Sequence, residues 1–318
     1  MKEISNSGIK TATTFSNETI TALRASLERK FGRRDDVCVV AVGSLARREA
    51  SSKSDLDYYV LTKAKALPGL QRANLCRTVG EVAKNLGIRS PAVGGAFAEC
   101  ISEDDLTDNI GGPRDENKEI TRRVLFLLES EWLFNRRKYE LAFKKLVKAY
   151  VRDSITEHQI CRFLLNDIIR YYRTIGVNFE HKTQVDGKPW GDRNIKLLFS
   201  RKLMYFAGIL AIAETAQQTA KAKRDTLFKL LRTPPIERIR NICGEASRPV
   251  LDRYGVFLER LSTDEYRDLL VSTVEKREKH SDKFRDFKNE GHNFSLQLSL
   301  LMSQTYDVSH PIHHALVF

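Results

Sequence analysis

The sequence predicts an α+β protein, a small mixed-sheet core followed by a larger all-α helical bundle. Three observations predict it. Two short apolar runs, VCVVAV (37–42) and DLDYYVLT (55–62), punctuate the first hundred residues in the manner of strands. Past a turn-rich stretch, GGPRDEN (111–117), apolar residues recur at three- and four-residue spacing, the period of helices. The 318 residues suffice for two such parts, each with its own core. The composition change near residue 113 sets the expected boundary, with one domain at 1–115 and a helical domain at 116–318.

Taken in order, residues 1–15 read as a loose lead-in. Ser16 then reads as the N-cap of a helix carrying Ile20, Leu23, Leu27 and Phe31, which Gly32 stops. VCVVAV is the valine-rich signature of a buried strand, and Gly43-Ser44 breaks it. A short helical turn leads to the second strand at 55–62. Residues 69–87 form a helix with Leu75, Val79, Val82 and Leu86 on one stripe. PAVGGAFAECIS (91–102) is a third strand, weakened by its glycines. In the second half ITRRVLFLLESEWLF, ICRFLLNDIIRYY and IKLLFSRKLMYFAGILAIAE read as helices, with further ones at 223–231, 247–261 and 263–289.

Bulk properties exclude several classes. Hydrophobic residues at 42% and charged residues at 30% describe an ordinary globular chain. No run approaches the roughly 20 apolar residues of a spanning helix. The N-terminus lacks the apolar segment of a signal peptide, so the expected setting is cytoplasmic, with no membrane partner. Five widely spaced cysteines without a CxxC pair argue against zinc and disulfides. The net charge of +12 favours polyanionic partners, nucleoside triphosphates or RNA.

The chemistry concentrates in GSLARREASSKSDLDYYV. Gly43 has no Cβ and permits close approach of a phosphate. Ser44 adds a hydroxyl and a backbone N–H at a helix start. Asp55 and Asp57, two apart on a strand, face the same way with Cα atoms about 6.5–7 Å apart. Paired carboxylates of that kind hold hard cations, and two-metal sites keep the ions about 3.5–4 Å apart.

These residues resemble the DNA polymerase β nucleotidyltransferase superfamily, whose core pattern is Gly-Ser, a spacer, then Asp-x-Asp. Gly43-Ser44, Arg47, Glu49 and Ser54-Asp55-Leu56-Asp57 fit one branch most closely. That branch holds the uridylyltransferase of the nitrogen-regulatory PII protein and the related signal-transduction nucleotidyltransferases. The specific resemblance covers residues 37–62. It implies a nucleotidyltransferase domain at 1–115, with Asp55 and Asp57 holding Mg²⁺ and Gly43 and Ser44 cradling phosphates. It also implies that Arg47 sits near the phosphates, neutralising charge on the leaving group, while Glu49 braces the loop. The superfamily adds a third carboxylate from a later, neighbouring strand. Glu99 is the first choice for that third metal ligand and catalytic acid, with Asp104 and Asp105 as rivals. SEDDL, however, reads as a helix cap, Ser102 capping and Asp105 at N3.

In the helical half the densest basic stretch is HKTQVDGKPWGDRNIKLLFSRK (181–202). Arg193 and Lys196 lie off the stripe Ile195, Phe199, Leu203, Phe206, Leu210 and are nucleotide-binding candidates; a solvated helix face is the alternative reading of equal standing. Trp190 reads as a loop anchor. Asp167 interrupts an apolar stripe and requires a partner if buried, for which Arg193 or Lys196 is the expectation. His310, His313 and His314 read as a tail without a metal.

The expected activity is transfer of an NMP from an NTP to an acceptor with release of pyrophosphate. The resemblance implies a protein side chain as acceptor. RNA or a tRNA end, as in a toxin-like enzyme, is the second reading, and second-messenger nucleotide synthesis the third. From another class, a non-catalytic nucleotide-binding regulatory module carries the same motif without turnover.

Overall fold

A computed structural model describes residues 7–63, 67–91, 97–184, 189–273 and 281–317, the side chains of 180 and 182–184 excepted. The architecture is α+β, a small four-stranded mixed sheet attached to a larger helical region. In chain order the elements are α1 (Ser7–Phe31), β1 (Val37–Val42), α2 (Gly43–Ala46), β2 (Asp57–Thr62), α3 (Gly69–Asn85) and β3 (Glu99–Ser102). There follow α4 (Asn117–Leu128), β4 (Glu131–Phe134), α5 (Arg136–Tyr150), α6 (Arg162–Gln184), α7 (Trp190–Lys196) and, past a π turn at Leu197–Arg201, α8 (Lys202–Ala213). The chain ends in α9 (Ala220–Leu231), α10 (Pro235–Cys243), α11 (Arg248–Ser262), α12 (Asp264–Ser272), α13 (Asp282–Thr305) and α14 (Pro311–Val317).

The sheet order is β3-β2-β1-β4. β1 runs antiparallel to β2 and β4, and β2 runs parallel to β3. All six residues of β1 are buried, so the strand shows an unbroken apolar run instead of alternation. Its two faces feed two cores. Val37, Val39 and Ala41 meet Leu23 and Leu27 of α1 and Val79 of α3. Cys38, Val40 and Val42 meet Tyr59, Leu61 and the helical half. Asp57 lies opposite Val42, on the face that the helical half covers.

Three expectations change. Ser16 does not cap a helix; α1 starts at Ser7, and Ile9, Ala12, Ser16 and Ile20 form one buried stripe. The Ser16 hydroxyl donates to the Ala12 carbonyl at 2.7 Å and accepts from Ala50 N at 3.2 Å, which satisfies it inside the helix. EWLF is not helical but β4, bonded to β1, so the sheet recruits residues past 115. The expected helix at 263–289 is two, α12 and α13, with 274–280 outside the described residues. Residues 92–96 of the expected third strand also lie outside them; β3 itself is Glu99–Ser102.

Asp167 is buried as expected, but its partner is Arg123 on α4, not Arg193 or Lys196. Arg123 meets Asp167 at 2.6 Å and grips Asp115 with two bonds of 2.7 Å, because α4 and α6 pack side by side. Trp190 is a buried anchor between Phe179 and Phe284. His310 packs at a tilt against Tyr306, and His313 bonds the Tyr306 carbonyl at 3.2 Å, so both belong to packed structure. Among the described residues no helix is long and apolar enough to cross a membrane.

Candidate active site

The turn from β1 into α2 brings Gly43 against β2. Gly43 adopts φ +74°, and a Cβ there would lie 2.8 Å from Asp57 Oδ2. Two constraints therefore exclude a side chain: the left-handed backbone and the neighbouring carboxylate. Past the single turn of α2 the chain folds back through hydrogen bonds from Arg47 N to Gly43 O (3.0 Å) and from Glu49 N to Ser44 O (2.8 Å). Ser51 N bonds Ser54 Oγ at 3.1 Å, and Leu56 N bonds Arg89 O at 3.0 Å, fixing the approach to β2.

These turns floor a cleft of about 520 Å³. Gly43, Ser44, Asp55 and Asp57 line it together, and so does Lys196. Lys53, Arg201 and Arg267 add positive charge, and α1 and α11 form a further wall. Burial, and then the neighbouring Asp55, push the Asp57 carboxyl up to about 7, against the pull of Arg201. A carboxyl disfavoured in its charged form beside another acid, in a cleft, marks a place where a cation would be welcome.

Arg47 reaches the cleft edge but is committed elsewhere. Its guanidinium donates to Glu49 at 2.7 Å and to Glu129, both carboxylates being buried. Burial works to lower its pKa, yet Glu129 and Glu49 hold it well above the ordinary arginine range. Arg47 thus lines the cleft while bracing the loop through Glu49 and Glu129, and Glu49 braces it too. Arg48, with φ +64°, caps the Ala46 carbonyl at 3.0 Å and pairs with Glu131 of β4.

Glu99 does not join Asp55 and Asp57. It stands opposite Tyr59, two residues along the sheet from Asp57, and its carboxylate pairs with Lys118 at 3.0 Å and with Arg122. Continuing that register sets Phe97 beside Asp57, and the Phe97 ring tilts against Tyr59 at 5.8 Å. Asp104 pairs with Lys145 at 2.7 Å. Asp105 makes the expected cap, accepting from Ser102 N at 2.8 Å. Among the described residues no group of three or more His, Cys, Asp or Glu could hold a metal ion, so the acid set is the pair Asp55 and Asp57. Arg193, on the same helix as Lys196, does not line the cleft.

Sequence reading missed Glu129, Arg201, Lys53 and Arg267. Arg201 had a signal in the basic stretch, but the π turn that aims it has none. With no family model matching the chain and no curated protein matching it, the site stands on its geometry.

Proposed function

We propose that this protein is an Mg²⁺-dependent nucleotidyltransferase that moves an NMP from an NTP to an acceptor and releases pyrophosphate. The observation that carries the reading is the convergence of Gly43, Ser44, Asp55 and Asp57 on one cleft rimmed by Lys53, Lys196, Arg201 and Arg267. Two acids floor a chamber whose rim is cationic, the charge complement of a metal–triphosphate complex.

The residues present fit Mg²⁺. That ion is commonly bound by one or two carboxylates, its remaining positions taken by water and substrate phosphates. Asp55 and Asp57 are such a pair, and the raised proton affinity of Asp57 is relieved when a cation shares the site. Bound there, Mg²⁺ supplies Lewis-acid stabilisation of charge on phosphate oxygens. The chain supplies the rest. Gly43 leaves room for the Asp57 carboxylate, Ser44 offers a hydroxyl donor, and the rim cations neutralise the triphosphate. Arg47 acts through the loop it braces. The acceptor that the resemblance favours is a protein side chain; the net charge of +12 is the argument for RNA.

One observation favours a second reading. Glu99 is engaged by Lys118 and Arg122, which leaves two acids where the superfamily uses three. A site so reduced suits a module that binds Mg·NTP without turnover. The test is incubation with each α-labelled NTP, Mg²⁺ and, separately, total protein or total RNA. Label in protein supports the main reading, and label in RNA changes the acceptor. Binding without any release of pyrophosphate establishes the second reading.

A further inference from the structure

The cations around the cleft differ in how they are held. Lys53 and Lys196 end in solvent and pair with surface acids, Asp264 at 2.8 Å and Asp192 at 2.9 Å. Pairs of that kind exchange partners at little cost. Arg201 is fixed. Its side chain is 26% exposed, and its Nη1 donates to Glu129 Oε1 at 3.1 Å. The Glu129 side chain is fully buried, and its other oxygen accepts from Arg47 Nη1. Arg47 belongs to the turn that follows Gly43-Ser44, so one carboxylate ties the loop carrying Ser44 to the helix carrying Arg201.

The local helix geometry serves the same end. Lys196, Ser200 and Arg201 all line the cleft, so the segment that ends in the π turn at Leu197–Arg201 presents one polar edge to it. The adjoining stripe, Ile195 and Phe199, stays in the core. Burial works to lower the Arg201 pKa, but Tyr171 and Glu129 raise it, and the guanidinium in turn draws the Asp57 carboxyl down. Arg201 is therefore a permanent cation facing the acid pair. Its bond to Glu129 uses one of a guanidinium's five donors.

We propose that Arg201 binds the triphosphate of the substrate and that Glu129 is its positioning residue, holding the guanidinium in register with Ser44 and Asp57. The proposal rests on the nucleotidyltransferase reading of this cleft and assigns it the phosphate-binding arginine that the sequence pattern located at Arg47.

Calorimetric titration with Mg²⁺ and inorganic tripolyphosphate, then with each NTP, tests it on the full chain. Arg201→Ala should weaken binding by about tenfold or more, the scale of a hydrogen bond to a charged group. Arg201→Lys should recover part of that loss, since the charge returns without the fork. Glu129→Gln should weaken binding about fivefold in the native background but less than about twofold in the Arg201→Ala background, the signature of a residue that acts through another. Melting temperatures recorded alongside separate folding from binding, and the Arg201 variants carry the test if Glu129→Gln folds poorly. Unchanged binding by Arg201→Ala overturns the assignment of Arg201. An equal Glu129→Gln loss in both backgrounds overturns the positioning role. Wild-type protein that binds neither tripolyphosphate nor any NTP overturns the functional reading itself.

Discussion

Among the described residues two buried arginine–carboxylate clusters stand out, and they serve different ends. In one, Arg123 holds Asp115 and Asp167, with side-chain exposures of 0%, 1% and 8%, and Tyr150 closes the group. Burial works to raise the Asp115 carboxyl, but hydrogen bonds from Arg123 and Gly111 win and hold it below the ordinary range. In the other, Arg47, Glu49 and Glu129 are equally enclosed, but Arg201 opens onto the cleft and faces Asp57. The closed cluster reaches balance once Arg170 also pairs with Asp115 at 3.1 Å, and it braces α4 against α6. The open one ends beside an acid pair that it only partly compensates. Burial and pairing alone therefore do not signal function; the uncompensated edge does.

Breaking the closed cluster should give the largest effect on stability. Arg123→Met leaves Asp115 and Asp167 buried without their common partner, and removal of one member of a buried ionic group costs about 3–5 kcal/mol. Urea denaturation should register that loss, while Mg·NTP affinity of the folded fraction stays at the wild-type level. A loss below about 1 kcal/mol would show the cluster to be dispensable.

The open cluster should behave in the opposite sense. With chelator present, Asp57 is a carboxyl raised from 3.8 to about 7, so the wild-type fold loses stability as pH rises through that interval. Asp57→Asn carries no charge to disfavour. It should match the wild type near pH 4 and exceed it by about 1–3 kcal/mol above pH 7, after discounting for the open side of the cleft. Thermal melts at the two pH values measure it, and an equal difference at both would contradict the burial argument.

Smaller effects sharpen the boundary of the site. Lys196→Ala should weaken Mg·NTP binding about three- to tenfold and shift stability by less than about 0.5 kcal/mol, whereas Arg193→Ala should leave binding unchanged. Equal losses in titration calorimetry would place both on the substrate path. Smallest for turnover is Glu99→Gln. It should leave turnover within about twofold and cost about 1–2 kcal/mol, since Lys118 is exposed but Arg122, the other partner, is buried. A loss of turnover of about 100-fold would restore Glu99 to the metal site.

Much of this was legible in the sequence, for physical reasons that also set the limit. The run VCVVAV declares a strand because both its faces are buried, and Gly43 declares a turn because only glycine fits against Asp57. Asp57 opens β2, two residues later than the strand start the pattern suggests, and Asp55 sits just ahead of it at an isolated bridge to Arg89, yet both line one cleft with Ser44. Ser16 misled because a serine satisfied within a helix looks, in sequence, like one that starts it. EWLF misled because four residues carry too little periodicity to separate strand from helix. Glu99 lies opposite Tyr59 and gives its carboxylate to Lys118 and Arg122, outside the cleft lining, an engagement with α4 that no local pattern shows. Arg201 and Glu129 are 72 residues apart and meet only through the packing of α4 and the π turn on the sheet, which no local pattern encodes.

The central claim is that Asp57 is held in an unfavourable state because it serves a metal and a triphosphate. Turnover of α-labelled NTP by wild type and Asp57→Asn, at equal folded concentration and with Mg²⁺ present, tests it most directly. The account predicts pyrophosphate release by the wild type and a loss of at least about 100-fold in the variant, equivalent to about 2.7 kcal/mol of transition-state stabilisation, from a protein that melts higher above pH 7. Wild-type turnover by Asp57→Asn would contradict it.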